Sequence, residues 1–349
     1  MAFDGKKSSC FRKSGDEIGC ALIAILLVAF SHQSGAHHSP AEFDLATTVS
    51  FDAIVTEFEW KNPHVFIQVD RIDGDGRVTP LQIEADGVSM LLPHRWSRDS
   101  LVPGDRVTVV AYPSRRTDGR SLLGYSITKQ DGLVLAPNPD RFQATEPVRA
   151  GGSASIEGVW LPRWDAFFGL SSTRRQPTEE LTRFWDGPES AQLPLYECMP
   201  FSAPRIMVIP VRSEIEVSTD RILIRVDWLD VERVIYLDGR DHPADGSWTA
   251  QGHSVGGWDG DTLVIDTMLF SPDSMGDYSL PSGPDRHIEE RLSLSDNGES
   301  LSYEFVLEDP EYLAAPLSGG GVWDYRPDLE PSAVDCDLEA AQRNLETTE

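Results

Sequence analysis

Short segments in which apolar and polar residues alternate, each bounded by turn residues, limit the folds open to this chain more than any other feature. In the first segment Val49, Phe51, Ala53 and Val55 alternate with polar neighbours. A period of two buries one face of a β-strand and leaves the other face in water. Such segments recur from residue 41 onward, so the sequence predicts an all-β protein.

The N-terminal segments predict a small barrel. After the first strand, we expect strands at 65–72 and 81–84, a short helical stretch at 89–95, and strands at 106–112 and 122–128. Three strands, a short helix and two strands is the order of a five-stranded OB-type barrel. A β-sandwich shares that order and remains an alternative here.

Composition divides the chain into domains. Residues 136–156 are rich in Pro, Gly and small residues and predict a linker between a domain at 37–135 and a larger one at 157–349. The turns DGD at 259–261 and DNG at 296–298 are hairpin signals, and a meander of hairpins closes as an antiparallel barrel or a sandwich. Further strands are expected at 206–211, 214–217, 221–228 and 233–237, and helices at 178–185 and 338–345.

The first 36 residues have the pattern of a secretory signal. Four basic residues precede an apolar run of eleven residues at 20–30. This run is shorter than the roughly 20 residues that span a membrane. Small residues at Ser34 and Ala36 place cleavage after Ala36. We therefore predict a signal peptide at 1–36 and a periplasmic or secreted mature protein without integral membrane insertion. The alternative is a retained N-terminal anchor.

Cleavage changes the cysteine count. Of four cysteines, Cys198 and Cys336 remain in the mature chain. Two cysteines in an oxidising compartment predict a disulfide. The alternative is a pair of buried thiols.

Charge and missing motifs exclude several functions. The formal net charge of -27 argues against a nucleic-acid partner, which requires a basic surface. The sequence contains no GxxxxGK[ST], HExxH or CxxC, so phosphate-loop and zinc-protease chemistry have no support. A small molecule is the expected partner, and the oligomeric state stays open.

Two regions carry a resemblance. The segments HHSPAEFD (37–44), VTEFEWKNPHVFIQV (55–69) and LVPGDRVTVVAYPS (101–114) resemble a family of exported bacterial proteins of unknown function. Members of that family begin the mature chain with His-His-Ser and carry a Trp-x-Asn-Pro-His motif, here Trp60, Asn62, Pro63 and His64. The segments IYLDGRDHP (235–243), GHSVGGWDGDTLVIDT (252–267), EDPEYL (308–313) and YRPDL (325–329) resemble the C-terminal half of similarly uncharacterised exported proteins. This second resemblance implies a lipocalin-like barrel and no established activity.

The new amino terminus is a candidate metal site. After cleavage, His37 offers both an α-amine and an imidazole, and His38 and His64 are further nitrogen donors. Such donors suit tetragonal Cu(II), so copper is a possible cofactor. The alternative is that His37 and His38 are solvated and that His64 is a structural residue at the start of a strand.

The C-terminal domain holds the candidate catalytic residues. A histidine held by a carboxylate acts as a general acid or base near neutral pH, and we select His242, His253, His287 and Glu289. Alternation along HIEERL puts His287, Glu289 and Arg291 on one face of a strand and Ile288, Glu290 and Leu292 on the other. If the first set faces inward, the barrel lumen is a polar ligand site. If it faces outward, it is a solvated face whose ion pairs contribute little.

Arginines and a tryptophan are the candidate ligand-binding residues. Arg240, Arg291 and Arg326 are placed to hold a carboxylate ligand. Trp258 is one of several tryptophans that would line an apolar cavity. The alternatives are that the arginines tie loops together and that the tryptophans are packing residues.

Three functional hypotheses follow. The first is an exported binding or accessory protein for a small apolar or carboxylate-bearing ligand, with its pocket in the C-terminal barrel. The second is an enzyme that uses histidine and carboxylate acid–base chemistry in that barrel. The third is a copper-binding protein that uses His37.

Overall fold

A computed structural model of the chain describes residues 43–115, 119–139, 151–172, 175–187, 198–244, 246–272, 274–277, 280–332 and 335–342. The protein is all-β, as the alternation predicts, with a closed five-stranded barrel followed by a larger nine-stranded barrel. Among the described residues, no helix is both long and apolar enough to cross a membrane.

The N-terminal barrel has the predicted strand order. Antiparallel pairing joins neighbours in the order β3-β2-β1-β4-β5, and a parallel pairing of β3 with β5 closes the ring, which is the OB-type arrangement. A short strand β6 extends β5. The strands are β1 (Val49–Glu59), β2 (Val65–Ile72), β3 (Val78–Ala85), β4 (Arg106–Pro113), β5 (Ser121–Lys129) and β6 (Val134–Leu135).

The expected helical stretch lies between β3 and β4. It consists of α1 (Val88–Leu91) and a 3-10 turn (Leu92–His94) that begins just before Pro93. The absent N–H of a proline is tolerated at such a start. Val88 and Leu91 are fully buried in the barrel core, so this short helix is held by packing.

The C-terminal barrel closes in the order β10-β11-β12-β15-β16-β17-β7-β8-β9, with β9 paired to β10. Its pairings are antiparallel except that β10 and β11 run parallel, a departure from the expected all-antiparallel barrel. The long connection 237–252 makes this possible, because parallel neighbours cannot be joined by a tight turn. The strands are β7 (Gly158–Pro162), β8 (Ser213–Val217), β9 (Arg221–Val226), β10 (Val231–Tyr236), β11 (His253–Asp259), β12 (Thr262–Met268), β15 (His287–Leu294), β16 (Ser300–Glu308) and β17 (Leu317–Tyr325), and a separate pair is formed by β13 (Met275–Asp277) and β14 (Leu280–Pro281).

A buried segment, not a strand, occupies 201–212. The strand expected at 206–211 is wrong: a 3-10 turn (Arg205–Met207) and irregular chain take its place, and every residue from 201 to 213 is buried. Its apolar residues belong to the same core as Trp160 and Trp323. A run that is apolar throughout does not distinguish a strand from buried irregular chain.

Helix α2 (Trp164–Ser172) packs against the inner face of β17. The triplet Gly319-Gly320-Gly321 explains how this is possible, because a Cβ built on Gly321 would lie 2.0 Å from the Cβ of Ala166. A close backbone approach of this kind requires glycine.

Both predicted helices are present. α3 (Glu179–Asp186) is capped by Thr178, whose side chain accepts a hydrogen bond from the Leu181 N–H. α4 (Leu338–Gln342) is the described part of the helix expected at 338–345.

The C-terminal segment connects the two barrels. The predicted disulfide between Cys198 and Cys336 is present. Next to it, the N–H of Asp337 donates to the backbone oxygen of Asn62 at 2.8 Å, and Lys61 Nζ lies 3.0 Å from the Asp337 carboxylate. The disulfide therefore fixes a segment that also holds the Trp-x-Asn-Pro-His motif of the first barrel.

Candidate functional site

Three strands of the C-terminal barrel carry polar side chains on the outer face at one end of the barrel. His253 begins β11, Asp266 lies near the end of β12, and His287 begins β15. The intervening positions Thr267 and Ile288 are fully buried and oppose each other across the two strands. Because side chains alternate along a strand, Asp266 and His287 point outward.

His242 joins these residues from the connection between β10 and β11. Its Nε2 lies 2.8 Å from Oδ1 of Asp266, and its Nδ1 lies 2.9 Å from Nδ1 of His253. Nε2 of His287 lies 2.8 Å from the other oxygen of Asp266, and its Nδ1 lies 3.7 Å from Glu308. We call His242, His253, Asp266 and His287 the histidine–aspartate cluster.

The hydrogen bonds determine the tautomers of the neutral rings. An ionised Asp266 only accepts hydrogen bonds, so Nε2 of His242 and Nε2 of His287 must both donate. When His242 is neutral, its Nδ1 carries a lone pair, which accepts the Nδ1–H of His253. The lone pair of His253 is therefore on Nε2, and this nitrogen makes no hydrogen bond within the described part of the chain. The cluster ends in an open basic nitrogen.

The protonation state of His253 suits a base. Burial lowers its pKa below the ordinary value, and the neighbouring His242 and Arg240 lower it further. The ring is therefore neutral at neutral pH and can accept a proton. Tyr236 stacks on it with ring centroids 5.2 Å apart at an interplanar angle of 25°. This contact restrains the orientation of the imidazole.

The predicted ligand-binding arginines already have carboxylate partners. Arg240 lies over the Tyr236 ring at 3.8 Å and holds Asp238, whose pKa it lowers to about 2. Arg291 lies 3.0 Å from Asp259. In the same way, Arg326 makes two hydrogen bonds to Asp328, at 2.8 and 2.9 Å. Trp258 is 48% exposed at the end of β11, whereas Trp160, Trp228 and Trp323 are core residues.

Glu289 and Arg291 lie on the outer face of β15 with His287. These side chains therefore face solvent and do not line the barrel lumen. The other face of β15 holds a buried network that sequence analysis did not select. Arg233 donates to both carboxylate oxygens of Glu290 at 3.0 and 2.6 Å, and the Tyr303 hydroxyl donates to the same carboxylate at 2.8 Å. Burial raises the pKa of Tyr303, and the Glu290 charge raises it further, so Tyr303 remains a donor.

The segment GHSVG at 252–256 has the form G-x-S-x-G of a hydrolase nucleophile motif. The motif requires a serine exposed on a sharp turn between a strand and a helix. Here Ser254 lies within β11, is buried, and shares a hydrogen bond of 2.9 Å with Thr267. His253 points to the opposite face, so the serine and the histidine do not form a nucleophile–base pair.

The candidate metal residues are only partly described. His37 and His38 lie outside the described residues, and Nδ1 of His64 lies 3.5 Å from Glu84. Within the described ranges, no group of three or more His, Cys, Asp or Glu side chains has the arrangement of a metal site.

Comparison with known proteins supports the resemblance without adding an activity. A model described as a family of unknown function (DUF6152) matches residues 24–122, which include the Trp-x-Asn-Pro-His motif. This confirms the similarity of the N-terminal part to an uncharacterised family. No curated protein matches the chain.

Proposed function

We propose that the protein is an exported enzyme that performs general acid–base catalysis at the histidine–aspartate cluster, with His253 as the base. One observation carries this proposal: a continuous chain of hydrogen bonds from the Asp266 carboxylate through His242 to His253. A positioned base of this kind typically contributes a factor of about 10² to 10⁴ in rate.

Each member of the cluster has a stated role. His253 takes a proton on Nε2 from a substrate group or a water molecule, and its Nδ1–H remains bonded to His242. His242 passes the stabilising effect of the Asp266 charge to the new imidazolium. His287 donates to the second oxygen of Asp266 and so fixes the orientation of the carboxylate, which makes it a positioning residue.

The packed interior favours a site on the outer wall over one in the lumen. The core of the barrel contains Ala166 and Leu170 of α2, the apolar residues of the buried segment 201–212 and the Arg233–Glu290–Tyr303 network. A binding or accessory protein that uses the same outer wall is the second candidate, and a groove beside the cluster supports it. The two candidates are distinguished by turnover, because the enzyme converts its substrate whereas the accessory protein binds a ligand without converting it.

Export is part of the proposal. The Cys198–Cys336 disulfide supports it, because structural disulfides persist mainly in the periplasm or outside the cell. A signal peptide at 1–36 provides the route, and copper binding at His37 and His38 after cleavage remains a separate hypothesis.

The tautomer of His253 tests the proposal without a known substrate. We expect ¹⁵N NMR of the imidazoles to show His253 protonated on Nδ1 and unprotonated on Nε2 at neutral pH. Asp266→Asn should disturb this pattern, whereas Asp261→Asn, an exposed change in the β11–β12 turn, should not. A His253 protonated on Nε2 in the native protein would refute the proposed relay.

Turnover is tested in parallel with chromogenic carboxylic esters, phosphate esters, amides and glycosides. We expect one class to be turned over, and His253→Gln to lower kcat/KM about 100-fold while the circular dichroism spectrum is unchanged. Equal turnover by His253→Gln and native protein would exclude His253 as the base. Binding of compounds without any turnover would favour the accessory protein.

A further inference from the structure

One peptide bond of the chain combines labile chemistry with a structured setting. Asp309–Pro310 is the only Asp–Pro sequence in the protein, and it directly follows the end of β16. The proline nitrogen carries no N–H in the chain. On cleavage it leaves as a secondary amine, and its basicity makes an Asp–Pro bond open to attack by the aspartate side chain in mild acid. The segment EDPEYL, which carries part of the C-terminal resemblance, contains this bond.

The turn after β16 polarises the carbonyl group of this bond. The oxygen of Asp309 accepts two backbone hydrogen bonds, from the N–H of Leu313 at 2.7 Å and from the N–H of Tyr312 at 3.1 Å. Two N–H donors at such distances have the arrangement of an oxyanion hole, in which one donor typically contributes a factor of about 10² to 10³ in rate. The turn can therefore stabilise negative charge on this oxygen.

The side chain of Asp309 is the candidate nucleophile. It is 2% exposed, and its Oδ2 accepts the N–H of Gly283 at 2.9 Å. The other oxygen, Oδ1, is buried and makes no hydrogen bond within the described part of the chain. Gly283 allows this close contact, because a Cβ built on it would overlap Oδ1. One carboxyl oxygen is therefore fixed, and the other is left to react.

The carboxyl group of Asp309 takes up a proton more readily than an ordinary aspartate. Burial raises its pKa, and this effect outweighs the lowering by the Gly283 N–H, the Arg286 charge and the nearby N–H groups of Tyr312 and Glu311. Arg286 and the Glu311 carboxylate, which lies next to Gly283, are the charged groups that face this carboxyl. The protonated form is an O–H donor, so it carries a proton for a leaving group.

We propose that Asp309–Pro310 is a self-cleavage site, at which the Asp309 carboxyl group cuts its own peptide bond. Oδ1 attacks the Asp309 carbonyl carbon, and the N–H groups of Tyr312 and Leu313 hold the resulting oxyanion. The bond from this carbon to the Pro310 nitrogen breaks, and the carboxyl proton passes to the nitrogen, which leaves as a secondary amine. The products are a cyclic anhydride at Asp309 and a new N-terminus at Pro310. One water molecule then hydrolyses the anhydride to two carboxyl groups.

The cleaved protein stays assembled. Cys198 precedes the bond and Cys336 follows it, so the disulfide joins the two fragments. Thr178 holds the turn on the far side of the cut, since its Oγ1 donates to the Glu311 oxygen at 2.6 Å and its N–H donates to the Tyr312 oxygen at 3.1 Å. β17 keeps its pairing with β16 and β7. The inference goes beyond the proposed function and does not depend on it.

The test is incubation of the complete mature protein at about pH 5, where an ordinary aspartate with a pKa of about 3.9 is largely ionised. Mass spectrometry should show one disulfide-linked species that is heavier than the intact chain by one water. After reduction, it should separate into a fragment that ends at Asp309 and one that begins at Pro310. Protein unfolded in urea at the same pH should be cut at least about 100-fold more slowly, because it lacks the two N–H donors. Added hydroxylamine should be captured at Asp309 as a hydroxamate, the product expected from an anhydride.

Two substitutions remove the chemistry in different ways. Asp309→Asn keeps the size of the side chain and removes the acid, and Pro310→Ala changes the leaving group at an exposed position. We expect neither variant to be cut, whereas Pro316→Ala, a change at another exposed proline of the same loop, should be cut at the native rate. Native protein that stays intact, equal rates in native and urea-unfolded protein, a cut in Asp309→Asn or Pro310→Ala, or an equal loss in Pro316→Ala would each overturn the inference.

Discussion

Replacement of Glu290 by Gln tests whether the buried network of the C-terminal barrel depends on charge. Arg233 and Glu290 are both fully buried, and Glu290 accepts three hydrogen bonds, two from Arg233 and one from Tyr303. Glu290→Gln keeps the size of the side chain but leaves the Arg233 charge without a counter-charge. Breaking a buried pair in this way costs about 3–5 kcal/mol of unfolding free energy.

The assay is urea unfolding followed by tryptophan fluorescence, with Trp160 and Trp323 as core reporters. Glu289→Gln is the matched control, because the same substitution on the outer face of the same strand should change stability by less than about 0.5 kcal/mol. A triple variant, Arg233→Met with Glu290→Leu and Tyr303→Phe, should recover most of the loss, since an apolar replacement of a buried pair is often neutral. A loss below about 1 kcal/mol for Glu290→Gln, or a triple variant less stable than the single, would refute this account.

Three further changes have expected results. Replacing Cys198 and Cys336 by Ser opens a loop with a sequence separation of 138 residues, and chain entropy predicts a loss of about 5 kcal/mol, measured by chemical unfolding without reductant. Burial lowers the pKa of His94 in the folded state from 6.5 to about 4. Between these pH values the unfolded state binds more protons, so the free energy of unfolding falls by about 3 kcal/mol as the pH drops from about 6.5 to 4. His94→Gln should flatten this part of the stability–pH curve. Gly321→Ala forces a methyl group against Ala166 and should cost about 1–3 kcal/mol in thermal or urea unfolding, with no loss indicating that α2 moves freely.

Much of the architecture could be predicted from local pattern. Alternation and turn residues were sufficient for an all-β chain, for the order of the five-stranded barrel, and for α3 after Thr178. They failed at 206–211, where the apolar run is buried irregular chain. They also failed for the β10–β11 pair, because strand direction depends on where a long connection returns.

The candidate site was predicted only in part. His242, His253 and His287 are predicted from their chemistry. The structure places His242 and His287 against Asp266, which the sequence does not single out, and places His253 against His242. Asp266 stands on the outer face of an alternating segment, TLVIDT, which gives no sign of function by itself. Its role appears only when the registers of β11, β12 and β15 are known.

The sequence by itself determined which residues of each strand share a face, because a strand has a period of two whatever surrounds it. It also determined the pair of cysteines that an exported chain would join. Only the tertiary structure decided that Glu290 faces the core and that His287 and Glu289 face water. The physical reason is that alternation relates neighbouring residues of a strand but does not say which face is buried. The buried face depends on contacts between residues far apart in the chain. The same is true of the register that places Asp266 between His242 and His287.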